Sequence, residues 1–379
     1  MRKSPRRSVD VLLLRTVKCA EDSRLNKILY HYEKIGIRVG VSCISRGLPC
    51  SRTESAFVSH KTLKISWPNL DSISSRLVRR VTLRFQLLRF VMHVKPWKPQ
   101  VIHGCDLDGY LVGKLAFPRK KIIFEVYDPW TTMTDSKRAA HLESRAFMKC
   151  DVLVMPALNS RVKVDRDYQS ALSNALDIGL ANKLLRVGKL HDVASLLIQQ
   201  EIPYILTGGI LGAEVGSDVL AEAISLTKSG LHLVIASDNL ESFGLNQRDI
   251  PVNIHFIGKQ SWADWLVLVK NASALWVYYD QRIKHFESHI SPNKYWEAAL
   301  FEIPIIVNSI DQFCDRIDHE SRYFEIDISS KSQLEATFND IASLKRAPQS
   351  SVSLPAWQKL ESERTELVKQ FLLWVGVNP

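Results

Sequence analysis

The sequence predicts an α/β protein made of two successive doubly wound parallel sheets, and three observations predict it. Short apolar runs alternate with helical patterns from end to end. Several of those runs are near-continuous Val, Ile and Leu, the pattern of parallel strands covered on both faces. The strand series then starts afresh after a polar, helix-like stretch, 161–200, in which no clear strand is legible. Strands separated by helices imply right-handed crossovers. Two such sheets in sequence would place their ligand crevices at the carboxyl ends of the strands, facing each other across a cleft.

In the first half, strands are expected at Val9–Leu14, Ile37–Ile44, Gln100–His103, Ile122–Tyr127 and Asp151–Met155. In the second half they are expected at Pro203–Thr207, Leu231–Ala236, Asn253–Ile257, Ala274–Tyr278, Pro304–Val307 and Arg322–Ile326. The polar stretch serves as the inter-domain connection plus the first helices of the second domain. The tail, WQKLESERTELVKQFLLWVG, is helical, with Trp357, Leu360, Leu367, Val368, Phe371 and Val375 apolar. These elements divide into a first domain over 1–165, a second over 166–350 and a terminal helix in 351–379.

Composition narrows the class of protein. A hydrophobic fraction of 46% with 24% charged residues is that of a globular chain with sizeable cores. The net charge of +10 points to anionic partners, whether phosphorylated ligands, acidic lipid or nucleic acid. No helix-turn-helix, zinc pattern or RNA-binding aromatic signature accompanies the charge, so no nucleic-acid partner is expected. The six cysteines form no C-x-x-C pair and read as reduced thiols of a cytoplasmic protein. Val11–Leu14 is too short for a signal peptide, and no run approaches a membrane span.

Three stretches carry chemistry. PYILTGGILGAEVGSDVLAEAISL is a strand, then Gly208, Gly209, Gly212 and Gly216, then a helix. That layout lets backbone approach a phosphate closely, although a simple strand-to-helix turn has the same look. SPNKYWEAALFEIPIIVN opens a helix with Ser291 as N-cap and Pro292 at the first helical position. Lys294 and Glu297 then stand beside the free N–H groups of the helix start; a capped helix with a solvated Lys-Glu edge would read the same way. SSRLVRRVTLRFQLLRFVMHVKPWKP carries Leu77, Val81, Phe85, Leu88 and Met92 at helical spacing among Arg76, Arg79, Arg80, Arg84 and Arg89. This basic amphipathic helix, 74–93, is either a contact for an anionic membrane surface or a core helix with a basic outer side. His285 and His289 are four apart, but Phe286 stands where H-E-x-x-H needs Glu and no third ligand is evident, so no metal is expected.

The glycine turn, IHFIGKQSWADW and SPNKYWEAALFEIPIIVN together resemble the C-terminal half of family-4-type glycosyltransferases of the GT-B fold, in the bacterial subgroup with Ser-Pro-x-Lys-x-x-Glu. KPQVIHGCDLDGYLVGKLA, KKIIFEVYDPW, ESRAFMKCDVLVMPA and VLLLRTVKCAEDSRLNKILYHYEKIGIRVGV are similar to successive strands, loops and helices of that family's N-terminal half. The resemblance implies a GT-B chain with an acceptor-side first domain, a nucleotide-sugar-binding second domain and a terminal helix crossing back to the first. It implies transfer of a sugar from a nucleotide-sugar to a polysaccharide, glycolipid or other glycan acceptor, with retention and without a metal cofactor. By the same resemblance the donor lies against Gly208, Gly209, Ser291, Asn293, Lys294 and Glu297. Glu297 takes the ribose hydroxyls and Lys294 the diphosphate, stabilising the charge that grows on the leaving group.

Asp22, Arg24, Asp106 and Asp128 are candidates on the acceptor side; His103, at an expected strand end, is the foremost candidate there and, with Lys294, a catalytic one, a capping or core histidine being the other reading. The sequence departs from the family where many relatives carry Arg and Lys in the glycine turn: here neither is present, and Val215 stands near the Lys position. Position 289 is His where a second Glu is common. With no cation in the glycine turn, either Lys294, Lys259 or Arg282 carries the phosphate, or the donor site is weakened. A nucleotide-sugar epimerase of the same fold is the alternative enzyme, and a non-catalytic subunit binding a partner or a membrane is the alternative from another class. The chain is expected in the cytoplasm, with the inner face of a membrane as a peripheral contact.

Overall fold

The computed structural model of the chain describes residues 7–15, 22–45, 58–64, 76–127, 129, 136–156, 169–209, 215–226, 229–237, 250–280, 291–313, 323–344 and 354–379. They form two compact units: unit 1 is Met1–Ser173 with Ser362–Pro379, and unit 2 is Asn174–Glu361.

Unit 1 runs β1 (Arg7–Arg15), α1 (Ser23–Lys34), β2 (Val39–Ser45), β3 (Val58–Lys64), α2 (Arg76–Val94), β4 (Trp97–Cys105) and α3 (Asp106–Ala116). It continues with β5 (Ile122–Glu125), α4 (Lys137–Lys149), β6 (Val152–Met155) and β7 (Gln169–Ala171). All neighbours pair in parallel, in the order β3-β2-β1-β4-β5-β6-β7. Central β1 shows why the apolar runs are continuous. Val11 and Leu13 enter the core under α1, Leu12 and Leu14 the core under α2, α3 and α4, and all four are fully buried. A buried leucine contributes about 2 kcal/mol, so each face has its own driving force. Helix α1 begins at Asp22, whose Oδ1 accepts the Leu25 N–H at 3.1 Å.

Unit 2 runs α5 (Ile178–Val187), α6 (Asp192–Gln199), β8 (Tyr204–Gly208), α7 (Ser217–Leu226), β9 (His232–Ala236), β10 (Ile254–Phe256) and α8 (Trp262–Asn271). Then come β11 (Ala274–Trp276), α9 (Asn293–Leu300), β12 (Ile305–Val307), β13 (Tyr323–Glu325) and α10 (Lys331–Ser343). Its six strands are parallel in the order β10-β9-β8-β11-β12-β13. Helix α11 (Leu354–Trp374) begins in unit 2, where Trp357 meets Trp296, and ends in unit 1. There Val368, Phe371 and Leu372 join the α1 core, and Thr365 bonds His31 at 3.0 Å.

Four sequence expectations change. Strand β3, VSHKTLK, was not anticipated, and β7 lies within the stretch read as strandless. Both are sheet edges, polar or very short, where burial imposes no apolar run. Helix α9 begins at Asn293 with Pro292, not Ser291, as its cap. Pro292 is extended (ψ 136°), and Ser291 is held elsewhere: its carbonyl accepts from Asn174 at 2.6 Å and its hydroxyl from the Trp296 indole. Finally, Cys43 is disulfide-bonded, against the expectation of reduced thiols; Cys105 and Cys150 are buried and form no disulfide. Sequence spacing does not reveal which cysteines meet in space.

The β4–α3 junction is tight enough to require glycine. A β-carbon on Gly104 would lie 2.6 Å from the Tyr110 nitrogen, and one on Gly109 would lie 2.5 Å from the Leu14 carbonyl oxygen. Gly109→Ala must push α3 off β1. The expected loss is about 2 kcal/mol of stability, read from the denaturant midpoint.

Candidate functional site

Both units gather polar side chains at the carboxyl ends of their strands, the edge where doubly wound sheets bind ligands. In unit 2, β8 ends at Gly208, and Gly209 follows with φ +84°, a conformation that favours glycine. Lys294, in the first turn of α9, reaches this turn: its Nζ lies 3.9 Å from where a Gly209 β-carbon would stand. No side chain caps the start of α9. Lys294 as a whole residue is partly exposed. Burial pulls its pKa down to about 8, partly opposed by the nearby Glu297 carboxylate.

Glu297, one turn further on, is buried at 3% exposure and already has two partners. The Trp262 indole donates to Oε1 and the Trp265 indole to Oε2, each at 2.8 Å. Trp265 also lies against Gly208, where a β-carbon would come within 2.6 Å of its ring. The two indoles therefore fix the carboxylate and tie it to the glycine turn. Each carboxylate oxygen retains a second lone pair, so the group can still accept from a ligand. The indoles were not singled out from the sequence. The signal was there in SWADW, where two Trp three apart share one side of a helix opening at Ser261.

In unit 1, Asp22, Arg24 and Asp106 come together around Arg15 and Tyr127. Arg15, at the end of β1, pairs with Asp22 at 2.7 Å and with Asp106. Burial alone would lower the Arg15 pKa, but the carboxylates of Asp22 and Asp106 outweigh it and hold the guanidinium charged. Arg15 and Arg24 both stand over the Tyr127 ring, at 4.6 and 5.2 Å. Asp106 opens α3 in a left-handed conformation (φ 55°) and accepts the Tyr127 N–H at 2.8 Å.

His103 is different. It lies inside β4, since the strand runs on to Cys105, and it is fully buried between Tyr32, Phe371 and Glu125. Of the two readings the sequence leaves open, the structure gives the core histidine and corrects the position at an open strand end. Its Nδ1 shares a hydrogen bond with the Tyr32 hydroxyl at 2.7 Å, while Nε2 lies 2.9 Å from a Glu125 oxygen without a hydrogen bond. His103, Cys105 and Glu125 bring ligand-type atoms within 4.8 Å of one another, a set able to hold a metal. The Tyr127 hydroxyl donates toward both Cys105 and Glu125, and burial raises the Cys105 pKa, so the thiol is protonated here. Asp128, Gly212, Arg282, His285 and His289 lie outside the described residues; Lys259 is exposed in the loop after β10.

The sequence matches no protein-family model and no curated protein. Solved structures do resemble it along nearly its whole length. HepE of Anabaena, solved with UDP and glucose, is 13% identical with a TM-score of 0.64, covering 96% of this chain and 98% of that one. Sucrose-phosphate synthase from Thermosynechococcus elongatus is 14% identical, TM-score 0.61, over 96% and 95%. A putative UDP-N-acetylglucosamine 2-epimerase from Listeria monocytogenes is 11% identical, TM-score 0.55, over 90% and 93%. Likeness at such identity is one of fold: two Rossmann-type domains in succession, the GT-B class. Among the described residues no helix is long and apolar enough to cross a membrane.

Proposed function

We propose that the chain is a glycosyltransferase that takes its sugar from a nucleoside-diphosphate sugar bound in unit 2. The observation carrying this reading is the grouping of the Gly208–Gly209 turn, Lys294 and an indole-fixed Glu297 at one strand edge. Glu297 accepts the two vicinal ribose hydroxyls, a task for a carboxylate because both bonds are charge-assisted. Lys294 and the start of α9 take the diphosphate and stabilise its charge as it leaves. The likeness to HepE, solved with UDP and glucose, supports a uridine donor. The acceptor is a glycan or lipid-linked glycan, the anomeric configuration is retained, and no metal cofactor is needed. No protein nucleophile is assigned; the enzyme positions donor and acceptor.

Calorimetric titration with UDP, GDP, dTDP and their sugar esters tests the reading. Binding of one nucleotide, lost in Glu297→Ala, supports it. Silence across the panel from folded protein would favour a non-catalytic subunit, and an epimerised sugar released with no acceptor present would favour the epimerase reading.

Lys294 gives the donor site a pH signature. A bound diphosphate raises the Lys294 pKa, so affinity is fully present below about 8 and falls as pH rises through it. With a sugar nucleotide, whose phosphates stay ionised throughout, affinity should weaken up to about tenfold per pH unit above that point. Lys294→Met should bind weakly and with a flat profile.

A further inference from the structure

We propose that unit 1 docks on an anionic membrane surface through the outer side of a three-helix layer. Helices α2, α3 and α4 share one core beneath the sheet, through Phe90 and Val94, Leu107 and Tyr110, and Ala146 and Phe147. Their outward sides are where exposed apolar side chains concentrate. On α2, Phe85, Leu88 and Met92 are each 58% exposed and are interleaved with exposed Arg84 and Arg89. On α3, Leu115 stands exposed beside Lys114. On α4, Leu142 and Met148 lie among exposed Arg138, Arg145 and Lys149.

Among the described side chains of these helices, none of the exposed ones is acidic; Glu143 is buried, and Asp106 and Asp108 are only partly exposed at the start of α3. The opposite side of the sheet differs. There α11 exposes Glu363 and Glu366, the latter 3.4 Å from Lys369. Among the described residues of unit 1, every exposed large apolar side chain but Leu373 of α11 lies in the α2, α3 and α4 layer, so apolar and cationic character together are concentrated there.

Charge complementarity selects the occupant. A layer of unpaired sign calls for a partner of the opposite sign, and aliphatic side chains set among the cations call for one that also accepts apolar groups. Anionic lipid headgroups over acyl chains supply both. A nucleic acid supplies only the charge. The layer lies wholly in unit 1, so the proposal is independent of the donor site, and its failure leaves that reading standing.

Vesicle flotation of the full chain decides it. The protein should float with phosphatidylcholine vesicles containing phosphatidylglycerol, not with phosphatidylcholine alone, and should be released by high salt. Removing each cation should lower partitioning by about fivefold. Arg84→Glu/Arg89→Glu on α2 and Arg145→Glu/Lys149→Glu on α4 should therefore each cut binding strongly, and Leu142→Ser/Met148→Ser should do so without touching charge. All six positions are exposed, so unchanged melting temperatures will show that the variants fold. Flotation with neither vesicle, equal flotation with both, or binding indifferent to the α4 variants would overturn the proposal; indifference on α4 would mean α2 acts alone.

Discussion

Glu297→Gln is expected to bind the preferred nucleotide about a hundredfold more weakly than the wild-type chain, since two hydrogen bonds to a charged acceptor are weakened together. The same substitution has a separate structural cost. A carboxamide has one acceptor oxygen for the two indole donors, so either Trp262 or Trp265 faces an N–H group. That should lower stability by about 2 kcal/mol. The two effects are separable by measuring the melting temperature and, on protein shown to be folded, the nucleotide dissociation constant. A variant that melts lower but binds normally would mean that Glu297 only anchors the indoles. Trp265→Phe sharpens the contrast, because it removes one donor, keeps the ring against Gly208 and leaves the carboxylate in place.

Arg15→Met should cost unit 1 about 3 kcal/mol, because it leaves Asp22 and Asp106 enclosed without their shared cation. Asp22 also caps α1 and Asp106 starts α3, so the two helix starts lose their common tie. Arg15→Lys should recover only part of this, since an ammonium is a point charge and cannot bridge two carboxylates as a planar guanidinium does. The denaturant midpoint reads both. A midpoint unchanged in Arg15→Met would show that the carboxylates are content with their backbone donors alone.

What the sequence made legible follows from where burial is enforced. Strands β1, β8 and β9 are covered on both faces, and only Val, Ile, Leu and similar residues satisfy that, so their runs could be read directly. The edges β3 and β7 have no such requirement and left no run to read. In the donor-type site, Lys294 and Glu297 stood in one local motif. The partners of Glu297, Trp262 and Trp265, are more than thirty residues earlier, and nothing local couples the two helices. His103 was misplaced for a related reason. Its strand extends two residues further than the apolar run suggested, which puts the ring inside the core beside Tyr32 and Phe371 instead of at an open end.

Helix α11 belongs to both units, and this bears on the order in which the chain acquires its structure. The core under α1 is completed by Val368, Phe371, Leu372, Val375 and Val377. Every strand of unit 1's sheet is synthesised before any residue of unit 2, yet those five side chains are synthesised after it. On the ribosome, the first unit to emerge is thus the last to close. One face of its sheet stays only partly covered, by α1, while the whole of unit 2 is translated, an interval in which a chaperone would find its binding surface.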